Sequence, residues 1–251
     1  MRRFFPVEIL TQEPYSAILG YPKVTRRQLR SRLIELKRLG VESVSFQGPV
    51  LIGKTAVLGK GYTAVVVLAK RGAKRVALKI RRTDSPRESM EKERILLAAA
   101  NKAKVGPKLI EGGDNFVIME YLDGKKIYDW INDLKGKGRV AKLKSVIKKV
   151  LQDCYELDRI GLDHGELSNI TKHVIVGKSV RIIDFESSSL ERKVSNVTSA
   201  TQALLIASSI AKMVGRIYRV PPKQKIIEVL RKYKENPNDG SFEKILEVLK
   251  L

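Results

Sequence analysis

Between Val41 and Ile80 the chain becomes a series of Val-rich runs punctuated by Gly48, Gly53, Gly59, Gly61 and Gly72, the texture of a twisted antiparallel sheet built from hairpins. From Ile127 onward helical patterns prevail, so strands come first and helices after, the order of an α+β chain. A length of 251 residues suits one large domain or two modest ones. With 43% hydrophobic and 30% charged residues, 18 Gly and 9 Pro, a collagen-like, disordered or coiled-coil chain is excluded. The apolar stretch Ala203 to Ala207 is broken by Ser208 and Ser209 and falls far short of the roughly 20 residues that cross a bilayer. No membrane partner is expected. The apolar run after Met1-Arg2-Arg3 dies at Glu8, before a signal-peptide core forms, and the single Cys154 permits no internal disulfide. Both readings imply a cytoplasmic protein, with Cys154 as buried filler.

Lysine and arginine total 49 against 27 acids, a formal charge of +22 that draws a protein toward nucleic acid, nucleotides or acidic partners. Residues 151–200 reverse the sign, and carboxylates gathered in one segment are what a hard cation such as Mg²⁺ requires. The densest basic run, Lys135 to Lys149, has two readings: a track for a phosphate backbone, or a solvated helix face. It contains no aromatic residue, which argues against a stacking platform for single strands.

Thr25-Arg26-Arg27-Gln28 reads as a capping box, followed by Leu29, Leu33, Leu36 and Leu39 at helical spacing, and the other face, with Arg26, Arg27, Arg30, Arg32 and Arg38, has two readings, a solvated face or a contact for nucleic acid, the first being favoured. Further helices are expected from Ser85 to about Lys104, at about 196–217, 223–235 and 241–250, and a hairpin turns at Gly177-Lys178.

Leu58-Gly59-Lys60-Gly61-Tyr62-Thr63-Ala64-Val65-Val66 sets Gly59, Gly61 and Ala64 at the positions of G-x-G-x-x-G, with Val66 two residues on. Small residues there let backbone amides approach phosphate oxygens, although a glycine hairpin alone is commonly only a hairpin. Val65-Val66-Val67-Leu68 continues as a strand, so a dinucleotide-binding turn, which leads into a helix, is set aside. Val76-Ala77-Leu78-Lys79-Ile80 then places an ammonium in an apolar strand, where burial without an anion is costly. Glu93, just ahead of Ile95-Leu96-Leu97, is its expected partner.

In this order the pieces resemble a protein kinase: a glycine-rich loop, a Val-Ala-x-Lys strand, a helix glutamate and a hinge at Val117-Ile118-Met119-Glu120-Tyr121. Downstream, Asp163-His164-Gly165-Glu166-Leu167 looks like the catalytic loop and Ile182-Ile183-Asp184-Phe185-Glu186 like the metal-binding Asp-Phe-Gly segment. The resemblance covers roughly Val57 to Ser189 and is closest to the small atypical archaeal and RIO-like serine/threonine kinases. It implies a two-lobed protein kinase-like α+β fold: a small antiparallel lobe at 51–122 and a mainly helical lobe at 123–251. Residues 1–50 would be an extension, a helix plus a strand, packing on the small lobe. Ser187-Ser188-Ser189 leads almost directly into the next helix and no Ala-Pro-Glu follows, so a long activation segment is not expected.

By the same resemblance the cofactors are ATP and Mg²⁺. Lys79, fixed by Glu93, would hold the α- and β-phosphates, and Asp184 would ligate the metal. The backbone of Glu120 and Leu122 would face adenine, with Met119 behind it. Glu166 would be the catalytic base, although it is a glutamate where the family has aspartate. The metal-binding asparagine belongs five residues after the base, where this chain has Thr171; Asn169, two residues early, is the candidate second metal ligand. His164 is expected to shape the loop, and His173 receives no assignment.

The leading expectation is a RIO-like protein kinase, autophosphorylating or ATPase-like, acting near RNA or ribosomal partners on a protein hydroxyl. The alternatives are a nucleotide-sensing pseudokinase that binds RNA or an acidic protein, and a small-molecule kinase.

Overall fold

The computed structural model describes residues 3–251; Met1 and Arg2, part of the start read above for a signal segment, lie outside the described residues. The fold is α+β, with antiparallel sheets and helices. The chain divides into two compact units. One runs through Ala98 and takes in Pro107–Leu122; the other holds Ala99–Gly106 and Asp123–Leu251.

In the first unit, β1 (Phe5–Pro6) and β2 (Ser43–Ser45) join a larger antiparallel sheet. Its other strands are β5 (Gly59–Lys60), β6 (Ala64–Arg71), β7 (Lys74–Arg81), β8 (Leu109–Gly112) and β9 (Phe116–Glu120), in the order β1-β2-β6-β7-β9-β8 with β5 also on β6. A separate hairpin, β3 (Val50–Ile52) and β4 (Thr55–Val57), turns at Gly53, whose φ of +57° favours glycine. Residues of the N-terminal segment, Val7, Leu10, Ile18, Leu19, Leu36 and Val44, are buried in one core with Val57, Val65, Val67 and Leu78. Residues of the segment 3–50, the short α1 (Ser16–Leu19) among them, therefore share the sheet's own packing.

α2 (Arg26–Arg38) has the capping box expected of Thr25 and Gln28. Its arginines do not all face water. Arg32 is 4% exposed, because position 32 lies on the face shared with Leu29 and Leu36. Its guanidinium donates to the carbonyls of Leu19 (2.6 Å) and Arg81 (2.7 Å) and to Asn115 Oδ1 (3.1 Å). Asn115 is in turn held by Glu35, through its amide N–H (2.9 Å) and its side-chain NH₂ (2.7 Å).

α3 (Glu91–Lys102) starts six residues later than Ser85. Ser85 and Ser89 accept from the backbone amides of Arg87 and Glu91, local bonds that compete with helix.

The second unit pairs β10 (Gly124–Lys126), β11 (Val174–Gly177) and β12 (Val180–Ile182) in a small antiparallel sheet. The hairpin of β11 and β12 matches the sequence, whereas β10 was hidden in a polar Gly-Lys-Lys stretch. The helices are α4 (Ile127–Asn132), α5 (Arg139–Arg159), α6 (Ile170–His173), α7 (Asn196–Leu205), α8 (Ser209–Ile217), α9 (Lys223–Glu235) and α10 (Asp239–Leu249). α5 buries Leu143, Ile147, Val150, Leu151, Cys154 and Leu157 at helical spacing. Part of its basic run is engaged internally: Lys144 and Lys148 donate to the carbonyls of Lys250 and Leu251, and Lys149 pairs with Asp153.

The single helix expected over 196–217 breaks at Ser208, whose hydroxyl donates to Ala203 O and caps Ala211 N, and α7 and α8 meet at 66°. Among the described residues no single helix is long and apolar enough to cross a membrane.

Candidate functional site

In the first unit the glycine loop joins β5 to β6, with Gly61 N donating to Ala64 O at 2.8 Å. Arg82 braces it, its guanidinium on Gly61 O (2.9 Å) and its amide on Thr63 O (2.8 Å). Neither Gly59 nor Gly61 has positive φ. A Cβ at Gly59 would meet nothing within 4 Å, and at Gly61 only Ala64 O at 3.7 Å. The hairpin itself does not require glycine at either place, so the missing side chains leave backbone open to a ligand. Tyr62, at the turn, is 75% exposed.

Register does the rest of the positioning. Lys79 on β7 stands opposite Val66 on one side and Val117 on the other. Its ammonium meets Glu93 of α3 at 2.6 Å, with both residues buried. Glu120 closes β9, its amide donating to Lys108 O (2.9 Å) and its carboxylate accepting from Lys108 N (3.2 Å). Ala64 is buried, while Val66, Met119 and Leu122 are half-buried.

In the second unit the segment Asp163 to Glu166 is fixed from several directions. Asp163 forms an antiparallel bridge with Ser189, and its buried carboxylate accepts from Arg192 Nε (2.5 Å), Ser195 N (2.9 Å) and Ser195 Oγ (3.1 Å). His164 is fully buried between Asn196 Oδ1, which accepts its amide at 2.8 Å, and Ile183 O, 3.0 Å from its Nε2. Burial pulls its imidazole down to about 4, so the neutral ring donates to that carbonyl and packs edge-on to Phe185. It shapes the loop.

Gly165 has φ +85°, and a Cβ there would lie 2.3 Å from Arg192 Nη2. Glu166 is half-exposed: Oε1 accepts from Ser187 Oγ (2.8 Å), and Oε2 lies 3.1 Å from His173 Nε2. Asp184 follows β12 with φ +72°, a left-handed conformation that aspartate tolerates better than most residues.

Glu166, His173 and Asp184 offer one ligand atom each within 4.8 Å of one another. His173 closes α6 just before β11 and is 5% exposed; burial lowers its pKa, with the Asp184 and Glu166 carboxylates opposing. Its Nδ1 has no hydrogen-bond partner among the described residues. Asn169 is exposed, and its Oδ1 accepts from Thr171 Oγ1 at 2.9 Å. His173, to which sequence assigns nothing, joins the two carboxylates; its one signal is its place directly before a strand.

Burial lowers the Lys126 ammonium, with Asp184 the charge that opposes the fall. The carboxylates of Glu166 and Asp184 fit a hard cation such as Mg²⁺, whereas the imidazole fits it poorly.

No protein-family model matches the chain. Over 96 residues it is 29% identical to an uncharacterized protein, MJ1211, of Methanocaldococcus jannaschii, a stretch covering 38% of this chain and 79% of that protein.

Proposed function

We propose that this chain is a divalent-cation- and ATP-dependent phosphotransferase of protein kinase-like fold, similar to RIO-type serine/threonine kinases. The observation that carries the reading is the buried Lys79 to Glu93 ion pair, set on a strand beside a loop whose glycines the hairpin does not need. A buried pair of this kind adds little stability by itself, which suits a role beyond stability, such as neutralising a ligand anion. Lys79 would neutralise phosphate oxygens and Asp184 would hold the accompanying cation. In the transfer, a substrate hydroxyl oxygen forms the new bond to the γ-phosphorus, ADP leaves with the electrons of the broken P–O bond, and Glu166 takes the hydroxyl proton.

One observation favours the nucleotide-sensing alternative: both oxygens of Glu166 already have neighbours, Ser187 and His173. The excess of bases suits an RNA or acidic protein partner in either case.

The test combines ATP titration with transfer of label from γ-labelled ATP. Catalysis predicts phosphoprotein or released phosphate that disappears in Asp184→Asn and Lys79→Met. Tight binding without turnover selects the sensor, and absence of binding overturns both.

A further inference from the structure

We infer that Glu166, His173 and Asp184 form a mixed nitrogen and oxygen site selective for a first-row transition-metal divalent cation, Mn²⁺ in the test below, over Mg²⁺. The inference concerns the metal site of the second unit alone and does not depend on the chain's being a phosphotransferase. Three observations carry it.

The first is the donor set. Two carboxylates and one imidazole converge from three separate elements: the loop before α6, the end of α6 and the turn that follows β12. Carboxylate oxygens serve Mg²⁺ and Mn²⁺ alike, whereas an imidazole nitrogen suits first-row transition metals; Mn²⁺ is the weakest nitrogen binder of that series, yet it takes a histidine more readily than Mg²⁺ does, which makes it the most stringent probe. Mg²⁺ is held almost entirely by oxygen and sheds water reluctantly.

The second is spacing. Ligand atoms about 2.1 Å from an octahedral centre are about 3.0 Å apart along an edge and about 4.2 Å apart across it. His173 Nε2 and Glu166 Oε2 are 3.1 Å apart, and all three donors fall within 4.8 Å. A cation can enter with sub-ångström adjustment, leaving three positions for water or a phosphate oxygen.

The third is the state of the donors. The His173 ring is nine-tenths buried beside the pair and turns Nε2 toward Glu166 Oε2 at 3.1 Å; a cation on Nε2 would take the place of that contact and leave the ring proton on Nδ1. Ser187 holds Glu166 through Oε1, which leaves Oε2 as the ligand atom. A carboxylate on a cation is a weaker proton acceptor, so occupancy would slow any proton transfer to Glu166.

The experiment uses the full chain without nucleotide. Mn²⁺ binding is followed by electron paramagnetic resonance, Mg²⁺ competes for the same site, and pulsed measurements look for coupling of the Mn²⁺ electron spin to an imidazole ¹⁴N. The expected result is one Mn²⁺ bound at least tenfold more tightly than Mg²⁺, with nitrogen coupling. Both the coupling and the preference should be lost in His173→Gln, and binding itself in Asp184→Asn. Because the wild-type spectrum alone reports the nitrogen ligand, a variant that fails to fold does not stop the test. Absence of saturable Mn²⁺ binding, absence of nitrogen coupling, or an unchanged preference in folded His173→Gln overturns the assignment. Failure of ATP transfer with intact nitrogen coupling would strike the phosphotransferase reading and leave the metal site standing.

Discussion

Arg32 ties α2 to the sheet of the first unit, and its replacement by methionine measures how firmly. The unbranched thioether fills most of the space of the arginine stem, so the cavity term is small. What is lost are three charge-assisted donors, and the carbonyls of Leu19 and Arg81 stay behind. Each stranded acceptor costs about 1–3 kcal/mol, or roughly 2–6 kcal/mol for two. Relief of a desolvated guanidinium, which burial and the neighbouring Arg81 pull down to about 10, offsets part of that. The expected net loss is about 3 kcal/mol, which would speed exchange of protected β6 and β7 amides roughly a hundredfold where they open with the whole unit. Arg32→Lys, which keeps a point charge but loses the fork, should cost about half as much. Arg30→Met, on the exposed side of the same helix, should stay within about 0.5 kcal/mol of wild type. Hydrogen exchange by mass spectrometry, with urea unfolding alongside, provides the values. Equal effects at positions 30 and 32 would refute the buried-tether reasoning.

The remaining predictions concern burial, charge and backbone. Lys79→Met should destabilise the first unit by about 3–5 kcal/mol, because the ammonium is taken from a buried carboxylate, and Lys79→Met with Glu93→Leu should recover most of it; an additive double variant in urea melts would contradict this. Burial raises the Asp153 carboxyl above its usual range, with Lys149 opposing. The folded state then binds that proton more tightly than the unfolded state, so ionisation works against folding. The melting temperature of wild type should accordingly fall relative to Asp153→Asn as pH rises above about 4, and a constant difference would show the sign to be wrong. Gly165→Ala meets both positive φ and Arg192, whereas Gly161→Ala, at φ +71°, meets nothing within 4 Å. The second should cost about 1–2 kcal/mol and the first clearly more, as chemical denaturation would show.

Much of this architecture is legible in the chain because a few residues admit one local solution. A lysine inside an apolar strand demands a carboxylate, and Glu93 meets it. Thr25 and Gln28 cap each other, and the turn at Gly177-Lys178 joins paired strands. The misses have physical causes too. Arg32 lies beside the apolar stripe, where a long side chain can turn inward if carbonyls await it, and those carbonyls come from residues distant in sequence. Ser85, Ser89 and Ser208 divert backbone groups from helix, so periodicity alone ran helices through them. β10 carries no apolar alternation and forms only because β11 offers it partners. His173 stands seven residues beyond Glu166, across the turn of α6, and only the folded chain shows that it faces the carboxylate.

Arg192 fills the room beside Gly165 and bonds Asp163 Oδ2, Asp163 O and Ser187 O together. One guanidinium thus welds the turn that carries Glu166 to the stretch that follows Asp184. If the proposed cation binds there, its seat would be assembled when the chain folds, and capture would displace solvent and leave the backbone where it was. The expected signature is rapid uptake with little ordering entropy, and a truncated Arg192 should trade it for slow uptake into a seat that must first be gathered.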